Sequence, residues 1–367
     1  MQIAASHIVV AGLLGGAAAG AVMHRADFCI AGAFRDLFLF KRFFMMRILL
    51  LLVASSAVAF DLARRLGLLP FYPFPLLGDP SLSNIAGGLL FGVGMVAAGG
   101  CVVGTLYRSG TGNLPAMAAV AGLVLGSAIY AEIHPAWAAF ARSTAFLRGR
   151  ATIPGLLGVD PTWLVVPLAA ASAVAIVRWR SRGLLVLRTP VEGFVQPWAA
   201  AVALSLLGLF SWIVAGMPFG ITTSYAKAAA WIESAVIPGH FASVAFFKAV
   251  PLDVTYPSGM KLQGGPGPGF DGISLVQFPL IAGIVAGSFL SAVSLGEFRI
   301  GRGVPARQIA FGLAGGVMMG LASRMAPGCN VWHVMGGLPI LAIPSILFTL
   351  ALLPGAWIGG RILGRVV

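Results

Sequence analysis

Nine apolar segments punctuate this chain, at about 8–24, 43–60, 84–98, 115–132, 162–178, 198–216, 274–294, 308–323 and 341–360. An apolar run of about 20 residues matches the ~30 Å hydrocarbon core of a bilayer as a helix. Composition agrees with the segments. The chain is 59% hydrophobic and 10% charged, with a mean hydropathy of +0.95, against roughly 25% charged residues in a soluble domain. No water-soluble fold of this size hides that much apolar surface, so the solvent is lipid. The expected fold class is an all-α polytopic membrane protein of about nine transmembrane helices. Two or three of the segments are short for the hydrocarbon core, as expected of helices that stop partway and hand over to broken segments.

The net charge of +13 would suggest nucleic acid on a soluble domain. Here the basic residues sit mainly between apolar runs, as topology signals do, and no aromatic-plus-basic RNA-binding motif is present; nucleic acid is excluded as a partner. The densest basic clusters are 178–188 and Arg299, Arg302 and Arg307. Placing both in the cytoplasm puts the C-terminus inside and the N-terminus outside. Met1–Val22 lacks a basic n-region and is expected to remain as the first membrane helix.

A pattern that occurs three times is the most informative feature. Gly15-Gly16, Gly20 and Cys29 recur at the same spacing as Gly87-Gly88, Gly92 and Cys101, and as Gly315-Gly316, Gly320 and Cys329. Gly32 and Gly104 also match, each three residues beyond its cysteine. All three cysteines of the chain fall at one phase of the repeat, and internal repeats of this kind mark transporter folds. The segment before Pro218–Ser224 is the expected fourth copy, without cysteine. Four helices, a linker helix and four more would make the second half enter the membrane the other way up. The expected division is a first inverted repeat over 1–160, a linker helix and basic loop over 161–190, and a second inverted repeat over 191–367, together shaped like an hourglass.

The apolar stretch after each cysteine is about ten residues long, too short to span. Each reads as a re-entrant half-helix, which lipid tolerates only inside protein. Each cysteine then sits at a half-helix N-terminus, where unpaired N–H groups and the helix dipole favour an anion. Gly100 and Gly328 precede two of the cysteines and leave backbone open to close approach. Such tips supply positive potential without a bare arginine at the midplane. A thiol adds a soft, weak donor and acceptor that releases what it holds. The competing reading is that buried cysteines are small hydrophobes in a packed core. The spacing excludes CxxC redox and zinc motifs, and no metal or cofactor is expected.

Other residues carry weaker signals. Arg25 and Arg324, four and five residues before Cys29 and Cys329, are candidates to attract anions at the two mouths, or else serve as topology signals. Asn330 and the run Thr222-Thr223-Ser224 offer amide and hydroxyl donors to oxyanion oxygens, the run standing where the fourth cysteine would be. His24 and His333 titrate near neutral pH when exposed, but read better as structural. Asp27 and Glu132 fall near helix ends and read as interfacial. The longest loop, 231–272, contains Gly264–Gly269, a Pro/Gly alternation that cannot be helical.

Three motifs, Arg25–Asp36, Gly99–Gly112 and Pro327–His333, resemble the YeeE/YedE family of sulfur-compound transporters, and the resemblance extends from about Gly12 to Gly360. It implies an hourglass of full and half helices in a bacterial inner membrane. It implies uptake of thiosulfate or a related small sulfur anion, with Cys29, Cys101 and Cys329 as relay thiols acting through S–H···S hydrogen bonds. Other branches handle selenium or other sulfur species. A small TusA-like cytoplasmic sulfur-carrier protein is the implied partner, beside membrane lipid. The sequence itself leaves two rival functions. One is an intramembrane sulfurtransferase that carries a covalent persulfide; the other is a sensor that binds sulfur species. It offers neither a cofactor motif for the first nor an output domain for the second, and a non-enzymatic transporter is the preferred reading.

Overall fold

A computed structural model of the chain describes residues 5–189, 191–301 and 303–366; Arg302 of the basic cluster and the first four residues of the N-terminal segment lie outside them. The elements run α1 (Ala5–Ala26), α2 (Ile30–Leu39), α3 (Phe44–Arg65), α4 (Leu82–Ala97), α5 (Val102–Gly110), α6 (Leu114–Ser143) and α7 (Ile153–Leu157), then α8 (Thr162–Ser181), α9 (Pro197–Ala215), α10 (Thr222–Val236) and α11 (Pro238–Phe241). A small antiparallel hairpin follows, β1 (Leu252–Thr255) and β2 (Lys261–Gly264). The chain ends with α12 (Gly272–Ser294), α13 (Ala306–Met325), a π-helical turn with a 3-10 turn over Val331–Ile340, and α14 (Ile343–Val366). The chain is an all-α polytopic membrane protein.

Each of the nine apolar segments is a helix, with ends moved by a few residues. Among the described residues, eight helical spans are long and apolar enough to cross a membrane. Helix α13 is the segment that falls outside that set. It is packed between α6 and α4; Arg307 and Gln308 at its start are exposed, whereas Ser323 is buried and Arg324 half-buried near its end. Lipid-facing surface is plain elsewhere. Helix α8, the expected linker, has 11% of its apolar window buried and presents Trp163, Val166, Val174 and Val177 outward. Helix α6 runs on past Glu132 to Ser143.

The glycine repeat is a packing device. A methyl group at Gly20 would lie 2.9 Å from the Ile284 Cα of α12; at Gly92, 2.7 Å from the Leu352 carbonyl of α14; at Gly316, 2.9 Å from the Ala119 Cα of α6. Real Cβ atoms do not approach so closely, so each site accepts only glycine, and the paired backbones come into direct contact. The partner helices return the favour through Gly283 and Gly287, Gly355 and Gly359, and Gly122 and Gly126. Three tight pairs result, α1 with α12, α4 with α14, and α6 with α13; α3 against α9 is a looser fourth, and α4 also packs on α13. The first glycine of each copy behaves differently. Gly87 and Gly315 serve the α4–α13 contact, whereas Gly15 meets only the Phe210 ring edge at 3.9 Å.

The Pro/Gly loop is non-helical, as its composition requires, and it is tied down. Lys227 of α10 is fully buried and donates to the Gly267 and Gly269 carbonyls at 2.8 Å and to Asp271 Oδ2 at 2.7 Å. Trp231 Nε1 donates to the Pro268 carbonyl. A buried ammonium is tolerated only when paired and hydrogen-bonded in this way.

Candidate functional site

Helices α2 and α5 have 10 and 9 residues, about 15 Å at 1.5 Å per residue and half a bilayer core. Cys29 and Cys101 occupy their N-cap positions in extended backbone conformation. Cys101 acts as a cap in the manner of serine: its sulfur accepts from the Gly104 N–H at 3.2 Å. The third short piece begins right after Cys329, at Asn330. The backbone amides of Val331 and Trp332 approach the Cys329 sulfur. Helix α10 begins at Thr222, where the fourth copy was expected, and carries no thiol.

All three cysteines are free and buried. Cys29 Sγ donates to Cys101 Sγ across 3.5 Å, and the Cys101 N–H donates to Cys29 Sγ at 3.4 Å. Two half-helix tips therefore meet sulfur to sulfur, 72 residues apart in sequence. Gly104 makes the meeting possible. A Cβ there would fall 2.5 Å from Cys29 Sγ and 3.3 Å from Cys101 Sγ, whereas its repeat equivalent Gly32 faces open space.

Cys329 belongs to a second cluster, at the opposite end of α13 from Arg307. Arg324 is half-buried, and its guanidinium donates to Thr223 Oγ1 at 3.0 Å and to Thr222 Oγ1. These four residues, all read as candidates from sequence, thus share one neighbourhood. Arg324, Thr222, Thr223, Gln277, Gly328 and Trp332 line a cavity of about 370 Å³ that is roofed by the loop after α11 through Phe246, Pro251 and Pro266. Asn330 is completely buried, yet neither atom of its amide has a partner; Trp332 Nε1, His333 Nε2 and Arg324 Nε are also unpartnered. Buried polar atoms are normally paired, and the two orphan-bearing residues that line the cavity, Arg324 and Trp332, mark its wall as a place for a polar ligand. His333 donates or accepts through Nδ1 at Ser345 Oγ, 2.9 Å away, and stacks on Phe348, which fits a largely structural histidine.

The remaining candidates are placed less centrally. Arg25 spends its guanidinium on Ser291, Ser294 and the Gly193 carbonyl, joining the ends of α1 and α12 to the loop before α9. His24 pairs with Ser291 and Glu297. Gly100 is unremarkable in backbone conformation; the left-handed position that ends α4 is Gly99, φ +66°. Gly328 takes φ +127° and lies against the Trp332 ring. The Asp27 and Glu132 side chains are 77% and 49% exposed, consistent with interfacial positions. Glu132, Glu233 and His240 form the one metal-type cluster among the described residues. There His240 already bridges the two carboxylates, 2.8 Å to Glu233 and 3.4 Å to Glu132.

The cation on the Cys29 side is Arg108, which is not among the candidates read from the sequence. It closes α5, donating to the Gly99 carbonyl at 2.6 Å, to Asp27 at 3.2 Å and to the Tyr107 hydroxyl at 3.1 Å; Tyr107 in turn donates to Asp27 at 2.9 Å. The signal was within reach, since Tyr107-Arg108 belongs to the Gly99–Gly112 motif.

The family described as sulphur transport matches residues 25–358. A protein of Spirochaeta thermophila named thiosulfate transporter TsuA is 30% identical over 362 residues, covering 96% of this chain and 98% of that one. The Escherichia coli K12 protein of the same name is 27% identical over 339 residues, covering 88% and 86%. A Salmonella typhimurium protein named probable transporter YedE is 32% identical over 171 residues, 46% of this chain and 41% of its own.

Proposed function

We propose that this chain, which belongs to the sulphur transport family and is a membrane transporter of sulfur compounds rather than an enzyme, takes up thiosulfate through a relay of cysteine thiols. The observation that carries the relay is the Cys29–Cys101 sulfur contact of 3.5 Å between two half-helix tips. The substrate is inferred from the two relatives named thiosulfate transporters that align over most of their length.

The anion enters at the cavity beside Arg324, where a half-buried guanidinium held by two threonine hydroxyls offsets its loss of hydration. Asn330 and the backbone amides beyond Cys329 receive it next. It then passes to Cys101 and Cys29. Thiols suit transit because each S–H bond is weak and polarizable, so no station holds the ion. Arg108 stands at the exit, where its charge attracts the anion and Asp27 tempers the hold.

The two halves are proposed to be inverted copies over 1–160 and 191–367, with 161–190 as linker, the half-helices re-entering from opposite sides. Contact pairing supports this: α1 with α12 answers α9 with α3, and α4 with α14 answers α13 with α6. The basic clusters support an inner-membrane protein with a periplasmic N-terminus and a cytoplasmic C-terminus. Arg108 then faces the cytoplasm, where a small TusA-like sulfur carrier would collect the product.

The test is uptake of labelled thiosulfate by cells lacking other importers. Cys101→Ala is expected to abolish it; import at the parent rate would end the relay reading.

A further inference from the structure

The relay has a gap. Cys29 and Cys101 touch, but Cys329 makes no sulfur–sulfur contact among the described residues. The fourth copy, which by symmetry would bring another tip to the path, has no cysteine. The hydroxyls at the start of α10 are already engaged. Thr222 and Thr223 accept from Arg324, while Ser224 Oγ donates to Gln277 Oε1 at 3.0 Å.

The next residue, Tyr225, is different. It is 5% exposed, and its hydroxyl is completely buried with no hydrogen-bond partner. It also lies within electrostatic reach of both the Cys329 and the Cys101 thiols. An unpaired buried hydroxyl is destabilising, and no hydrogen bond in the surrounding protein offsets it.

We propose that the Tyr225 hydroxyl, in the first turn of the fourth copy's helix, does the work of a fourth thiol, an O–H donor in the neighbourhood of Cys329 and Cys101 that receives the oxygen end of a small sulfur oxyanion. The inference rests on the thiosulfate relay reading and deepens it. A thiosulfate ion has two chemically different ends. Its terminal sulfur suits soft thiols. Its sulfonate oxygens need a firmer donor, because a dianion stripped of water on that side is strongly destabilised. A phenol is a better donor to oxygen than a thiol. Near both thiols, it lets the ion change thiols while one end stays bonded.

The experiment compares the parent, Tyr225→Phe and Cys101→Ala, each purified and reconstituted in liposomes, by thiosulfate flux and by melting temperature without substrate. Loss of one hydrogen bond to a charged group corresponds to a fall in flux of about tenfold to a hundredfold. The expected result for Tyr225→Phe is such a fall, with a melting temperature equal to or above the parent's, because an orphan hydroxyl has been removed. Parent-level flux in Tyr225→Phe would overturn the assignment. So would a lower melting temperature, since it would mean the hydroxyl serves a protein partner. If Tyr225→Phe keeps its flux while Cys101→Ala loses it, only the tyrosine inference fails; if Cys101→Ala also keeps it, the relay itself fails.

Discussion

The Cys29 and Cys101 sulfurs lie 3.5 Å apart at the tips of two separate half-helices. A disulfide needs the sulfurs at about 2.05 Å, so a small shift suffices to join them. Treatment with diamide, which takes up the two thiol hydrogens, is expected to close this bond and stop uptake. Intact-protein mass spectrometry would register the loss of two hydrogens, and dithiothreitol would restore flux. A Cys29→Ala protein that still forms an intramolecular disulfide would refute the pairing.

Gly32 and Gly104 hold the same place in two copies of the repeat, three residues after their cysteines, but their surroundings differ. Gly104→Ala drives a methyl group into both sulfurs, and overpacking of this kind costs about 1–3 kcal/mol. Transport is expected to fall at least about tenfold. Gly32→Ala meets nothing within 4 Å and is expected to transport within about twofold of the parent. Equal sensitivity of the two variants in an uptake assay would contradict the geometry.

Arg324 is the half-buried cation that lines the cavity. Arg324→Gln keeps hydrogen-bond donors for Thr222 and Thr223 but removes the charge. A raised KM for thiosulfate, by about tenfold or more, is the expected outcome, with a smaller change in maximal rate. A KM equal to the parent's would remove the cavity from the uptake route.

Lys227 anchors the Pro/Gly loop from a fully buried position. Lys227→Met leaves the partly buried Asp271 carboxylate without its positive partner, and the Gly267 and Gly269 carbonyls without the ammonium donor. Breaking a buried pair costs about 3–5 kcal/mol, and thermal unfolding in detergent is expected to shift down accordingly. An unchanged melting temperature would mean the loop is held by other contacts.

His240, on the loop side of α10, links Glu233 to Glu132. Hydrogen bonding to Glu233 and the nearby Glu132 charge raise its pKa above the ordinary value near 6.5. The protonated form is the one that binds both carboxylates. The clasp therefore stabilises the fold fully below about pH 6.5 and loses its effect as pH rises through the raised folded value. The melting temperature is expected to decline across that window in the parent and to be flatter in His240→Asn. A parent profile that rises through the same window would be inconsistent with the clasp.

Much of this protein was written in its sequence. The apolar lengths gave the helices, because a membrane span is a local property of about 20 consecutive residues. The stretches after Cys29, Cys101 and Cys329 were legible as short helical pieces for the same reason. Tertiary structure decided what those elements touch. It joined Cys29 to Cys101 and Arg324 to Thr222 and Thr223, drew Arg25 away to Ser291, and brought Arg108 to Asp27. It also revealed that the repeat's glycines are backbone contacts between helices far apart in sequence. Spacing along one helix fixes which face a residue is on, but not which helix meets that face. That choice is made by packing among distant segments, and so the sulfur pair and the free Tyr225 hydroxyl emerge only from the folded chain.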